Sequence, residues 1–215
     1  MTVDIHKFIL GPLENNTYVV AEKNNDLCIV IDPAAPSEDL LHFINSKMYK
    51  IKYFLITHAH FDHMAGIHWF ESQLSYHVPI AIHPEDLPVW RIGGGSKEFG
   101  VEFDPGTEPE ILLEDNQNLL IGQINLKVFH TPGHSPGHVV FYEPTNNAVF
   151  CGDLIFRHGV GRTDLVMSDS KALLESIRSK IFVLDPETRL LPGHGPETTV
   201  GEEIRNNPFL KTSGA

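Results

Sequence analysis

Hydrophobic positions along the chain change period several times, and each change marks an element. Val3–Leu10, Thr17–Glu22 and Leu27–Ile31 are alternating or continuously apolar runs, which predict three strands, with a turn at Asn24-Asn25-Asp26 between the last two. From Ser37 or Glu38 to about Met48 the spacing turns helical, with Leu40, Leu41 and Ile44 on one face and Ser37 placed as an N-cap. Tyr53–Ile56 predicts a short strand that runs into Thr57-His58-Ala59-His60-Phe61-Asp62-His63. A helix is expected from Gly66 to about Leu74, a strand at Ile80–Ile82, and a helix within His83–Trp90 that starts at Pro84.

Regular patterning then lapses. Arg91–Glu110 holds Gly93-Gly94-Gly95 and Pro105-Gly106 and reads as a long surface excursion, either a lid or rim for a site or a mobile insertion. Asn118–Ile121 and Asn125–His130 form an expected hairpin around Gly122-Gln123. His138–Glu143 and Ala148–Cys151 form another, around Thr145-Asn146-Asn147. Ser168 or Asp169 caps a helix to about Ile181, Arg189–Leu191 is a last short strand, and a short helix follows Thr199. Two runs of strands, each followed by helices and further short strands, predict a layered α/β or α+β fold. No linker composition interrupts the chain, so one domain over 1–215 is expected.

Composition narrows the function classes. Among 215 residues, 41% are hydrophobic and 20% charged, the balance of a soluble globular protein. The formal net charge of −12 repels phosphate backbones, so nucleic acid is not an expected partner. No basic region followed by an apolar run opens the chain, and no apolar stretch approaches the ~20 residues that span a bilayer, so a cytoplasmic protein with no membrane partner is expected. Cys28 and Cys151 sit in strand-like apolar runs and read as buried thiols. No CxxC pair exists, which excludes a cysteine-type zinc site.

Histidine changes the picture. Several of the 13 histidines fall in turns rich in Gly, Pro and Asp, where metal sites draw their ligands. His58-x-His60-x-Asp62-His63 follows a strand, at the end where α/β folds place their chemistry. Its four metal-competent groups are too close in sequence to serve one ion comfortably, so the spacing suggests two sites. Three further candidates each follow a glycine after a strand: His134, Asp153 and His194. The expected division gives one metal His58, His60 and His134, gives the other Asp62, His63 and His194, and lets Asp153 bridge. That leaves open positions, the mark of a catalytic site. The other histidines are expected to be ordinary, except that His138 is placed to orient a ligand.

The set His58-x-His60-x-Asp62-His63, His134, Asp153 and His194 resembles the metallo-β-lactamase-fold hydrolases over nearly the whole chain. The resemblance implies a four-layer αββα sandwich with two divalent metal ions at one edge. Zinc is expected, with iron or manganese accommodated by the same donors. Thr131-Pro132-Gly133-His134-Ser135-Pro136-Gly137-His138, Gly159-Val160-Gly161-Arg162-Thr163-Asp164 and the tail from Pro192 to Leu210 are similar to the short, single-domain glyoxalase II-like subgroup. The sequence stops a few residues after Phe209, so the C-terminal helical domain with which the two-domain enzymes hold glutathione is not expected. Asp164 and Pro196 stand at the places of that family's substrate-binding tyrosines, and Arg162 stands where it has a lysine. A cysteine ligand marks the main lactamase subgroup, whereas this chain has Asp153.

The resemblance implies a hydrolase acting on a small-molecule thioester such as S-lactoylglutathione through a hydroxide shared by the metals. Asp62 is expected to hold that hydroxide as well as to coordinate. Arg162 is expected either to steady an anionic part of the substrate or to pair with Asp153 or Asp164. The alternatives are a mononuclear-iron persulfide dioxygenase, which also carries a Gly-Arg-Thr-Asp segment, a lactone or phosphodiester hydrolase on the same site, and a metal-binding protein without catalysis.

Overall fold

A computed structural model describes residues 3–23 and 25–211; Asn24 of the expected turn lies outside them. The first six strands form one sheet in chain order: β1 (Val3–Leu10), β2 (Asn15–Glu22), β3 (Leu27–Ile31), β4 (Lys50–Leu55), β5 (Ile80–Ile82) and β6 (Ile111–Leu112). β1 to β3 are antiparallel and β3 to β6 are parallel. Parallel neighbours need crossovers, and helices supply most of them. These are α1 (Glu38–Ser46), α2 (Phe61–Met64), α3 (Ile67–Gln73) and α4 (Leu87–Arg91).

The second sheet uses β7 (Asn118–Ile121), β8 (Ile124–His130), β9 (Val139–Glu143) and β10 (Ala148–Gly152). A small hairpin of β11 (Ile155–Phe156) and β12 (Gly159–Val160) follows, then β13 (Arg189–Pro192) and β14 (Thr198–Thr199). The second sheet runs β14-β13-β10-β9-β8-β7. Helix α5 (Ser170–Ser176) crosses between the parallel pair β10 and β13, and α6 (Val200–Asn206) follows β14.

Period-two alternation builds the layers. In β2, Val19 and Ala21 face α1, α3 and α4, where Leu40, Ile44, Phe70 and Trp90 cover them. Tyr18 and Val20 face the other way, onto Leu126, Phe141 and Phe150 of the second sheet. Val140, Val149 and Leu190 leave that sheet on its far side and meet Leu173, Ile177 and Val200 of the α5 and α6 layer. Helix, sheet, sheet, helix is therefore the order of layers, the αββα sandwich. Cys28 and Cys151 are free and buried, and burial pushes the Cys28 thiol up to about 12.

Several boundaries differ from the sequence expectation. Strand β2 begins at Asn15 because Asn16 continues the ladder with β1, and its side chain donates to the Pro192 and Gly195 carbonyls. Ser37 does cap α1, accepting from the Leu40 N–H, but α1 ends at Ser46. Phe61–Met64, expected as loop, is one helical turn. Asp169 caps α5, which widens into a π-helical turn at Ile177–Ile181.

Candidate metal centre

Each ligand-bearing segment leaves a strand at the same edge of the sandwich. Strand β4 ends at Leu55, and the chain then extends through Thr57 to His60 before turning into α2. The extension turns His58 and His60 toward His134, and the helical turn carries Asp62 and His63 to the other side. His134 follows β8, Asp153 follows β10 and His194 follows β13.

These residues converge in three overlapping groups: His58, His60 and His134; Asp62, His63 and His194; and His58, His63 and Asp153. Within each group the candidate ligand atoms all lie within 4.8 Å of one another. The seven residues singled out in the sequence thus occupy one place. Asp153 reaches both halves: its Oδ1 lies 3.3 Å from His63 Nε2, and its Oδ2 lies 3.6 Å from His134 Nε2 and 3.7 Å from His194 Nε2.

Four of the five imidazoles use one ring nitrogen to hold a protein oxygen and turn the other inward. His58 Nδ1 meets Thr57 Oγ1 at 3.0 Å, and His63 Nδ1 meets Asp32 Oδ2 at 3.0 Å. His134 Nδ1 meets the Arg162 carbonyl at 2.8 Å, and His194 Nδ1 meets the Leu13 carbonyl at 3.0 Å. Such partners fix both the tautomer and the ring plane of a metal ligand. His60 Nδ1 and His134 Nε2 lie 2.9 Å apart. His58 Nε2, His63 Nε2 and Asp153 Oδ1 are buried and accept or donate no hydrogen bond within the protein. Buried polar atoms without partners are costly unless something else satisfies them, and a cation on these nitrogens and oxygens does so. The donor set fits a pair of divalent ions.

The electrostatics divide the set. Burial, and then the neighbouring rings, hold His58 well below the usual histidine range and push His60 down to about 3; burial lowers His134 too. That trio is neutral and ready to ligate. For His63 burial also pulls downward, but Asp153 and Asp62 outweigh it and hold the ring well above the usual range. His194 is raised likewise, against burial, by Asp62 and Asp153. Burial pushes the Asp62 and Asp153 carboxyls up, yet His63 and the other rings outweigh it and keep both below the carboxylate range. Without metal, therefore, His63 and His194 hold a proton more tightly than the first trio, and a ligand must be neutral. Loading the Asp62, His63, His194 group is expected to release about one proton or more per chain near neutral pH. Loading the other trio is expected to release none. Calorimetric titration of metal-free protein in buffers of different ionisation enthalpy reads this directly, and an equal release for both ions would contradict the division.

Residues that the sequence did not single out hold the ligands in place. Asp32 accepts from the Thr57 N–H at 2.8 Å, the Thr57 hydroxyl at 2.7 Å and His63. Asn15 donates to Asp62 at 3.0 Å. Asp86 accepts from the Ala59 and Gly137 N–H groups and the Ser135 hydroxyl, clamping the backbone between His58 and His60 to that beside His134; burial pushes its carboxyl up to about 6 despite those three donors. His138 belongs to none of the three ligand groups, and its Nε2 accepts from the Asp153 N–H at 3.2 Å, beside a candidate ligand as its spacing suggested. Asp32 directly follows β3. Its left-handed backbone (φ 51°) is invisible in a single sequence. Arg162 forms a fork on Asp164, with bonds of 2.7 and 2.8 Å, and not on Asp153.

A second group, His83, Glu85 and His130, shares no residue with the three overlapping groups. The His83 and His130 rings stack 3.9 Å apart with planes 12° from parallel. Parallel rings aim their in-plane lone pairs side by side rather than at one point, so this is a stacked pair.

The centre forms the floor of a cavity of about 460 Å³. One wall is the 91–110 excursion, whose Gly94 carbonyl accepts the Phe61 N–H at the start of α2. That segment is a rim of the site. Among the described residues, no helix is long and apolar enough to cross a membrane.

Comparison with known proteins agrees with this arrangement. The chain is similar to hydroxyacylglutathione hydrolase GloC of Haemophilus influenzae, 32% identical over 196 residues that cover 89% of each chain. Among solved structures it is similar to TTHA1623 in a di-iron-bound form, at 40% identity and a TM-score of 0.85, covering 95% of this chain and 100% of that one. It is also similar to the BLEG-1 B3 metallo-beta-lactamase, at 34% identity and a TM-score of 0.87, covering 97% and 100%. The family described as the metallo-beta-lactamase superfamily matches residues 10–194, from the end of β1 to the last histidine of the centre, and the chain belongs to that superfamily.

Proposed function

We propose that this metal-dependent hydrolase cleaves thioesters, in the manner of a short glyoxalase II, with S-lactoylglutathione as the substrate to test first. The observation that carries hydrolysis is the set of buried, unpartnered atoms, His58 Nε2, His63 Nε2 and Asp153 Oδ1, in a cluster whose His60, Asp62, His134, Asp153 and His194 line a cavity. Likeness to a hydroxyacylglutathione hydrolase supports the thioester. Five imidazoles and two carboxylates suit zinc, and equally iron or manganese. A bound pair of divalent ions would supply Lewis acidity, lowering the pKa of a water to about 7 and polarising the thioester carbonyl.

The protein's own groups do the rest. Asp62 stays ionised and is oriented by Asn15, so its free oxygen accepts a hydrogen bond from the attacking water. The bonds of His58, His63, His134 and His194 to fixed oxygens preorganise the floor, so little reorganisation accompanies the reaction. The cavity walls limit bulk water. The chain needs no serine or cysteine nucleophile, and both thiols are buried away from reach.

The test is thioester loss by metal-analysed protein, before and after chelation and after reconstitution. Activity is expected to vanish with the metals and to return with them. A parallel oxygen electrode with glutathione persulfide, and a chromogenic cephalosporin, cover the dioxygenase and lactamase alternatives. Oxygen uptake with one iron per chain, or silence on every thioester with both ions bound, would overturn the proposal.

A further inference from the structure

The cavity above the metal centre is lined in a way that the reaction alone does not demand. Leu13, Ile92, Phe99 and Val166 all line it, and each leaves 47–52% of its surface exposed. Single exposed hydrophobics are ordinary, but four around one opening make a continuous apolar patch. Phe156 and Leu165 extend that lining from the segment after β10. Phe99 belongs to the 91–110 excursion and packs on Phe61, ring centres 5.5 Å apart, so the rim is seated on the helical turn that carries Asp62 and His63.

Charge on these walls is sparse. Apart from the metal-centre residues, the charged groups lining the cavity are Glu98 and Arg162. Arg162 spends its Nε and one terminal nitrogen on Asp164, and its guanidinium lies 6.0 Å from the centre of the Phe99 ring. A glutathione conjugate would bring two carboxylates to walls whose one cationic side chain, Arg162, is already shared with Asp164, so their hydration would be only partly replaced. A hydrocarbon chain meets no such cost and removes exposed apolar surface from water on both sides.

Resting on the thioesterase reading, we infer that the preferred substrate is a thioester carrying an uncharged hydrocarbon chain, held between the 91–110 rim and the segment around Phe156 to Val166. Glutathione is not the handle by which this cleft selects its substrate. Selectivity comes from apolar contact along the chain and rises with its length until the cavity is filled.

Two substrate series test this on the metal-loaded protein. One is acetyl, butanoyl, hexanoyl and octanoyl thioesters of N-acetylcysteamine, a neutral thiol. The other is S-methyl to S-hexyl thioacetates, which place the chain on the leaving group. In at least one series kcat/KM is expected to rise about threefold per added methylene, and to exceed the value for S-lactoylglutathione by the longer members. Ile92→Ser and Val166→Ser are expected to cut the ratio of longest to shortest substrate by about tenfold or more. Because that ratio is taken within each variant, partial loss of metal or fold does not mimic the effect. Cleavage with no dependence on length in either series would overturn this inference and leave the thioesterase reading standing. No metal-dependent cleavage of any thioester, S-lactoylglutathione included, would overturn both.

Discussion

Replacing Asp153 with alanine is expected to lower turnover by about 10³-fold or more and to reduce bound metal from a pair of ions to one or none. The carboxylate faces ligands of both halves, His63 through Oδ1 and His134 and His194 through Oδ2. Two dications held close together repel, and the centre offers only Asp62 and Asp153 as formal negative charges. Without Asp153 a single carboxylate would have to offset both. Asp153→Asn separates charge from shape: it keeps an oxygen in place and is expected to retain part of the metal with most of the activity gone. Metal analysis, circular dichroism and kcat/KM on each variant read the outcome. Full activity with full metal content in Asp153→Ala would remove Asp153 from the ligand set.

Gly193→Ala is expected to lower kcat/KM by about 100-fold and to weaken metal retention, although Gly193 itself ligates nothing. Its backbone is not in the left-handed region, so the cause is space. A Cβ at Gly193 would fall 2.6 Å from His63 Cε1 and against Asp153 Oδ1. The backbone cannot retreat, because the Gly193 N–H donates to the Gly152 carbonyl at 2.7 Å and its own carbonyl accepts the Asn16 N–H at 2.7 Å. His63 and Asp153 must move instead, and forced overpacking of this kind also costs about 1–3 kcal/mol of stability. Gly195→Ala is the contrast. Its φ of +74° strains an alanine by about 1–2 kcal/mol, but nothing lies within 4 Å of the added carbon, so metal is expected to stay bound. Melting temperature and metal content of the two variants, side by side, separate crowding from backbone strain. Equal metal content in Gly193→Ala and the parent would refute the crowding account.

The glycines show how far a sequence carries. Gly133, Gly152 and Gly193 each precede a ligand, and that was visible, as was a need for sharp turns or close approach. Which need applies at which glycine was not. Gly152 has φ +48° and would press a Cβ on Thr57 and His138, whereas at Gly193 a Cβ would meet His63, Asp153 and the Gly152 backbone with no positive φ. The layers were equally legible in kind, since alternation and helical spacing are local properties of the side chains. Their end points were less so. Asn15 and Asn16 look like turn residues and are strand, because partners in β1 and beyond β13 take up their polar groups.

The candidate donor set was legible in the sequence alone. His58 to His63 is a local motif, and His134, Asp153 and His194 share a strand-glycine-ligand pattern that needs no long-range information. What tertiary structure decided is the second partner of four of the five rings and the character of the cleft. His194 is held by a carbonyl 181 positions away and His63 by a carboxylate 31 positions away. The rim at Phe99 meets Arg162 only after both sheets have closed. Chain order carries no record of such contacts, because hydrogen-bond partners and apolar neighbours are chosen by distance in the folded state. They decide which imidazoles carry a proton, which glycine can bear a side chain, and what kind of molecule the opening above the metals can hold.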